Sequence, residues 1–318
     1  MKFISFIVPC YNEEQTINSF YKQILEVMQQ IDVLYEIIFI DDGSKDSTAE
    51  IIRRLCKEDP SISFISLSRN FGKESAMFAG LEHAKGDAVI IIDADLQHPP
   101  GLIPQLVEGW QIEKYDVVYA RRINREGEPI LRSWFSKKFY SIINKISDVK
   151  LVDGVVDYRI MDRKVVDSIL GLRERHRFSK GLFEWAGFHS KCIEYKNVER
   201  AAGNSSWNFS KLFHYAIEGI VSFTIVPLRI ATFVGILTAL AAFIYMGITI
   251  IQTLLFGNSV SGYTSTISLI LFFGGIHCIF LGIIGEYLGR IFNEVKHRPH
   301  YFIREHIESR VRTFEFKK

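Results

Sequence analysis

Short apolar runs alternate with helical patterns through the first half of the chain. Phe3–Pro9 (FISFIVP), Tyr35–Asp41 (YEIIFID), Ile62–Ser68 (ISFISLS) and Ala88–Asp93 (AVIIID) read as strands, and Asp116–Ala120 (DVVYA) as a fifth. Between them, Glu14–Gln30, about Ser47–Lys57 and about Glu74–Ala84 place apolar residues at helical spacing. Strands that are hydrophobic throughout, each followed by a helix, predict an α/β domain whose parallel sheet is covered on both faces. In such sheets ligands bind beyond the carboxyl ends of the strands. The polar clusters fall there: PCYNEE after the first strand, DDGSKDST after the second, RNFGKE after the third and DADLQHPP after the fourth.

The pattern then changes. No Asp, Glu, Lys or Arg occurs between Arg229 and Glu286. The turn-forming segment Gly257–Ser265 divides this stretch into Ile230–Phe256 and roughly Thr266–Gly285. Each half reaches the ~20 apolar residues that cross a bilayer as a helix, and two transmembrane helices are expected, with buried core helices as the alternative. Lys and Arg flank both ends while the connecting loop has none, so both termini and the α/β domain are expected in the cytoplasm of a multi-pass plasma-membrane protein. His277 inside the second span reads as a helix contact. Ahead of the spans, Phe209, Leu212, Phe213, Ala216, Ile217 and Ile220 recur at helical spacing beside Trp207 and Lys211, predicting a helix in the membrane interface. The expected organisation is an α/β domain over 1–205, an interfacial amphipathic helix over 206–228, two membrane helices over 229–289 and a basic cytoplasmic tail over 290–318.

Net charge of +2 gives no reason to expect nucleic acid as a partner. MKFISFIVPCYNEE turns polar too early for a signal peptide. Cys10, Cys56, Cys192 and Cys278 are scattered, which fits a reducing compartment and argues against a disulfide framework or zinc site.

Asp93 and Asp95, one residue apart at the end of an apolar strand, would repel each other on an extended chain and are most stable around a cation. A solvated strand end is the plainer alternative.

Taken together, VPCYNEE, DDGSKDST, DADLQHPP and DYRIMDR resemble the family 2 glycosyltransferases of GT-A fold, a Rossmann-like, mostly parallel sheet. More narrowly, the chain resembles polyprenyl-phosphate glycosyltransferases, over nearly its whole length and including the two C-terminal spans and the GEYLGRIF exit. The resemblance implies sugar transfer from a nucleotide sugar, UDP-glucose being the first expectation and N-acetylglucosamine the second sugar, to undecaprenyl or another polyprenyl phosphate for cell-envelope glycans. Transfer would be inverting and dependent on Mg²⁺ or Mn²⁺, hard cations suited to carboxylate oxygens and to a diphosphate leaving group. Asp95 is the first candidate ligand, with Asp93 beside it, and the resemblance adds Gln97. His98 is expected to orient this loop.

Nucleotide-sugar contacts carry over to Pro9, Tyr11, Glu13, Asp41, Asp42, Asp93 and Ala94, with Lys73 facing the diphosphate. Asp157, opening DYRIMDR, resembles the family's catalytic carboxylate. A phosphate acceptor is already ionised near neutral pH, so positioning is expected of Asp157 more than strong-base chemistry. The segment ARRINREGEPILRSWFSKKF supplies Arg121, Arg122, Arg125, Arg132, Lys137 and Lys138, either an acceptor-phosphate site or a solvated basic loop. Arg121, Arg122 and Arg132 match the family's acceptor-phosphate positions, where the planar Arg fork suits phosphate. Arg159 and Arg177 are further candidate partners of an anion. Ser206 stands where related chains are expected to carry a basic residue.

A homo-oligomer and a flippase are among the expected partners. Two other functions stay open: a processive polysaccharide synthase, although the chain lacks a Gln-x-x-Arg-Trp motif and further spans, and a non-catalytic nucleotide-sugar-binding membrane module.

Overall fold

The computed structural model describes residues 1–123, 144, 154–172, 174–175, 177–195, 221, 224–256 and 262–311. Eight strands form one mixed sheet: β1 (Phe3–Cys10), β2 (Leu34–Asp41), β3 (Ile62–Leu67), β4 (Ala88–Ile91), β5 (Val117–Arg122), β6 (Val155–Asp162), β7 (Ser190–Tyr195) and β8 (Ile303–Ile307). Their order across the sheet is β7-β5-β6-β4-β1-β2-β3-β8. β1, β2, β3 and β4 are parallel, as their uniformly apolar sequences predict. β6 runs antiparallel to both β4 and β5, and β8 antiparallel to β3. The sheet is thus parallel at its centre and mixed at its flanks.

Alternate residues of the central strands enter two cores. Ile4, Phe6 and Val8 pack with Phe20, Ile24 and Ile52 of α1 (Ile17–Met28) and α2 (Thr48–Glu58) and with Leu106 of α4 (Ile103–Gln111). Ile7, Ile38 and Ile40 point the other way, toward Ala76 and Ala79 of α3 (Lys73–His83) and Val166 of α5 (Arg163–Gly171). Burying each such side chain contributes about 1.5–3 kcal/mol. α3 lies close on the sheet because Gly80 faces it: a Cβ there would stand 2.5 Å from Ile7 Cγ2 and 2.9 Å from Ile40 Cδ1. That close seat matters because α3 begins with Lys73.

After the short helix α6 (Ser179–Trp185) and β7 come two long helices, α7 (Val226–Phe256) and α8 (Tyr263–Val295). Val226–Tyr245 and Phe272–Val295 are long and apolar enough to cross a membrane. Phe233, Leu240, Phe243, Phe272 and Ile291 stand exposed along them, an apolar surface that water does not favour. Both helices extend a turn or more past the charge-free stretch, because Arg229, Glu286 and Arg290 are good helix formers. Among residues 206–228, the interval predicted for an interfacial helix, most lie outside the described residues, as does the connecting loop over 257–261.

The basic tail predicted over 290–318 is not a simple tail. Its residues Ile303–Ile307 return to the catalytic domain as β8 and close the sheet edge beside β3. Their sequence, IREHI, alternates weakly and is mostly charged, which hid the strand. The chain leaves the sheet, forms both apolar helices and comes back to it.

Candidate active site

The parallel strands end on one rim, and the first two polar loops are stitched together there. Asn12 adopts a left-handed backbone (φ +57°). Its amide donates to Ser44 Oγ at 2.9 Å, and its Oδ1 accepts from the Lys45 amide at 2.9 Å. The Glu13 amide donates to Thr48 Oγ1 at 2.8 Å, while the Glu13 carboxylate accepts from Thr16 Oγ1 at 2.7 Å. Pro9 pairs with Ile40 in the β1–β2 register, and Tyr11 leaves 42% of its surface exposed above it.

Asp41 and Asp42 are both buried and both bear loops. Asp41 accepts from the Ser44 amide and Ser66 Oγ at 2.9 and 3.2 Å. Asp42 accepts from the Phe71 and Gly72 amides at 2.7 and 2.9 Å. Burial pushes the Asp42 carboxyl above its ordinary value against the pull of these two amides. Gly43 between these loops has φ +71°, and a Cβ would meet the Arg69 carbonyl carbon at 2.6 Å. Asp42 therefore shapes the segment that delivers Lys73.

Lys73 Nζ is the centre of the site. It donates to Asp93 Oδ2 at 2.9 Å and to Asp157 Oδ2 at 2.7 Å. The two carboxylates meet because β4 and β6 are antiparallel with Ile91 opposite Arg159, so Asp93, two residues past Ile91, approaches Asp157, two residues before Arg159. Burial alone would lower the Lys73 ammonium, yet Asp157 and Asp93 outweigh it and hold it above the usual lysine range. The lysine side chain keeps 42% of its surface exposed, so the carboxylates rather than desolvation set its state. Burial likewise works to raise both carboxyls. Lys73 overcomes it at Asp157 with help from Lys180, and at Asp93 with help from His98, so both stay below the ordinary carboxylate range.

His98 is buried and orients the loop. Its Nε2 lies 3.4 Å from Asp93 Oδ2, its Nδ1 lies 2.8 Å from Tyr195 Oη, and its ring stacks on Tyr158 at 5.8 Å. Between Asp93 and His98 the chain passes through buried Ala94 and left-handed Leu96 (φ +59°), a conformation that costs a β-carbon residue about 1 kcal/mol or more. Asp95 Oδ1 accepts from the Gln97 amide at 3.1 Å, closing this turn with its carboxylate half-exposed at the rim.

The described residues contain no group of three His, Cys, Asp or Glu side chains placed to hold a metal ion. Asp93 is turned to Lys73 and His98, which leaves Asp95, with Gln97 beside it, as the carboxylate offered to the rim. Hard oxygen donors in this number fit a Mg²⁺ or Mn²⁺ shared with a bound diphosphate, and not an all-protein cage.

Arg121 and Arg122 reach the same rim from the end of β5. Arg121 is ion-paired with Glu194 on β7, and the Arg122 amide donates to the Gly154 carbonyl at 2.9 Å. Arg125, Arg132, Lys137 and Lys138 lie outside the described residues. Arg159 and Arg177, expected as anion partners, are buried beneath the site. Arg159 donates to the Val156 carbonyl at 3.1 Å and stacks over Phe183 at 4.0 Å, and Arg177 donates to the Leu172 carbonyl and stacks over Phe78 at 4.3 Å. Both act as packing cations under the floor.

Glu74 and Lys180 escaped the sequence reading. Glu74 accepts from the hydroxyl and amide of Ser179, the first residue of α6. Burial, followed by the Asp157 charge, pushes its carboxyl up to about 7. Lys180, next along α6, is lowered by burial against the attraction of Asp157. Glu74 directly follows the lysine of RNFGKE; α6 lies more than a hundred residues away, and no local pattern links the two.

Two family models match the chain: Glycosyl transferase family 2 over residues 5–170, and the GtrB C-terminal hairpin over residues 226–291. The bactoprenol glucosyl transferase of Shigella phage SfV is 47% identical over 301 residues, covering 95% of this chain and 98% of that protein. A prophage bactoprenol glucosyl transferase homolog of Escherichia coli K12 is 46% identical over 95% of this chain and 98% of its own length. An uncharacterized glycosyltransferase of Synechocystis, sll0501, is 43% identical over 94% of each chain.

Proposed function

The chain belongs to glycosyl transferase family 2 and is a glycosyltransferase of GT-A fold, and we propose that it transfers a hexose, glucose first, from a UDP-sugar to a polyprenyl phosphate at the cytoplasmic membrane face. One observation carries the reading: a lysine held between Asp93 and Asp157 on the rim of a domain whose sheet takes its edge strand from the far side of an apolar two-helix hairpin. Relatives named for bactoprenol glucosylation, alike over nearly their full length, support the acceptor class.

The donor's nucleotide would lie over the stitched loops after β1 and β2, with Tyr11 exposed to the base. Asp41 and Asp42 keep those loops in shape while retaining acceptor capacity on their oxygens. Lys73 and Asp95 would meet the diphosphate. A Mg²⁺ or Mn²⁺ held by Asp95, with Gln97 and Asp93 nearby, would neutralise the charge that builds on the leaving diphosphate. An oxygen of the acceptor phosphate attacks the anomeric carbon from the opposite face, and the bond to the diphosphate breaks with its electron pair. The configuration inverts. The acceptor oxygen is already ionised, so no strong base is needed, and Asp157, held deprotonated by Lys73, is a weak one. Its role is to place Lys73 and the acceptor. Arg121, Arg122 and Arg132 would hold the acceptor phosphate, with Lys180 adding positive charge behind Asp157.

The two flanks of the hairpin meet each other, and the trailing one returns to the sheet. Tyr287 Oη on α8 donates to the Thr224 carbonyl ahead of α7 at 2.7 Å, and β8 follows α8 into the sheet. If both helices span a bilayer, the return of β8 to the sheet keeps both ends of the hairpin on the domain's side, where a lipid headgroup would meet the site. The test is incubation of the purified protein in lipid with undecaprenyl phosphate and a panel of nucleotide sugars. A glycosyl polyprenyl phosphate from UDP-glucose is the expected product. Transfer only to a growing polysaccharide, or donor binding without transfer, would replace this reading by the synthase or the non-catalytic module.

A further inference from the structure

Residues beyond α8 do more than cover a sheet edge. As the chain leaves the helix, Arg175 holds it from the catalytic domain, its amide donating to Glu294 Oε1 at 2.8 Å and its guanidinium to the Pro299 carbonyl at 2.9 Å. The following residues then land on the two segments that flank Lys73. On the loop before it, the Ser68 amide donates to the Phe302 carbonyl at 2.8 Å, Arg304 donates to the Ser68 carbonyl, and the Phe302 and Phe71 rings lie 6.3 Å apart. On the helix after it, the His300 ring lies 4.8 Å from Phe78, and Tyr301 donates to Glu82.

The loop needs such support. It turns through Gly72 at φ +97° with nothing within 4 Å of where a Cβ would be, and fixing each of its residues costs about 1–2 kcal/mol of backbone entropy. From the inside, Asp42 holds the Phe71 and Gly72 amides. On its outer side the loop meets the returning segment at Ser68 and at the Phe71 ring, which also carries the Arg69 guanidinium at 4.2 Å. Phe302, 57% exposed, buries too little surface there to be explained as core.

We propose that residues 299–307 are a positioning strap: they hold the Ser68–Gly72 loop and α3, and so keep Lys73 between Asp93 and Asp157, tying that geometry to the apolar hairpin from which the strap emerges. None of the strap residues touches the carboxylates; they act through the loop and helix.

The test compares the full chain with two variants in the same lipid: Phe302→Ala/Arg304→Ala, which removes two exposed side chains, and a chain ending after Arg298. Amide hydrogen exchange over Phe71–Ser75 needs no substrate and is independent of the acceptor assignment. Exchange there should accelerate about tenfold or more in both variants, while β1 and α1 stay protected. Turnover should fall about tenfold with the acceptor KM unchanged, and a synthetic peptide of residues 299–311 should restore both properties to the shortened chain. Unchanged exchange over Phe71–Ser75 in both variants would overturn the proposal. So would full turnover with accelerated exchange, or a general loss of protection that the peptide does not reverse, which would make the segment a part of global stability alone.

Discussion

Asp93 and Asp157 stand on antiparallel strands two residues beyond the Ile91–Arg159 pair, and a single ammonium, that of Lys73, bridges them. Two carboxylates this close cannot both stay ionised at low cost without a cation between them. In this protein the cation comes from the start of α3.

Removing that cation should reverse the acid response of the fold. Asp93 and Asp157 are held below the ordinary aspartate range, so they stabilise the native state above that range and the contribution is lost as pH falls through their folded values. In Lys73→Met the two carboxyls should rise above the ordinary range, and stability should then be lost as pH increases from about 4 to 7. Thermal melts across this range should show opposite slopes for the two proteins. Parallel slopes would mean that the carboxylates are not coupled through Lys73.

Asp95→Asn should leave the fold intact, because the carboxylate sits half-exposed at the rim, and should remove most transfer, about a hundredfold or more. Wild-type transfer should stop in excess chelator and return with Mg²⁺ or Mn²⁺. Full transfer in chelator would remove the cation from the mechanism.

Arg122→Ala and Arg132→Ala should raise the KM for polyprenyl phosphate by roughly one to two decades, the equivalent of about 1.5–3 kcal/mol for a charge-assisted contact. Donor KM should move little. Lysine in their place should rescue only in part, since an ammonium lacks the two-pronged fork. An effect confined to the donor titration would take the acceptor site elsewhere.

Glu74 gives a change in the opposite sense to the aspartates. Its carboxyl is raised to about 7, so its contribution to stability is complete below the ordinary glutamate range and is lost as pH rises through about 7. Glu74→Gln cannot ionise and should gain stability over wild type between pH 5 and 8, on the order of 2 kcal/mol after allowing for its partial exposure. A pH-independent difference in melting temperature would contradict the buried-carboxyl assignment.

Orientation can be read with thiol chemistry. In a chain lacking its four native cysteines, Ser261→Cys should react with an impermeant reagent in whole cells, and Lys318→Cys only after the membrane is opened. The reverse pattern would place the catalytic domain outside.

The central sheet and the rim loops were legible in the sequence because buried parallel strands are apolar on both faces and end abruptly in polar residues. DADLQHPP gave the turn that carries Asp93, Asp95 and His98, and DYRIMDR gave Asp157. Three features were not legible. The antiparallel insertion of β6 between β4 and β5, which brings Asp157 to Asp93, depends on strand order, and local pattern carries no information on that. Arg159 and Arg177 read as ligands by charge, yet their guanidinium groups are buried against Phe183 and Phe78 and each donates to a backbone carbonyl. β8 was hidden by Arg304, Glu305 and His306: an edge strand exposes one face and tolerates charge, and those charges protect it from pairing with other chains.

The position of β8 in the chain also sets an order of assembly. Its partner β3 is made early, but Ile303–Ile307 follow both apolar helices, so the ribosome must complete the hairpin before the open edge of β3 can be covered. At about 5–20 residues per second, that edge waits on the order of tens of seconds. During this interval the newborn protein has a sheet with one border still open, and the strand that seals it is among the last parts of the chain to be made.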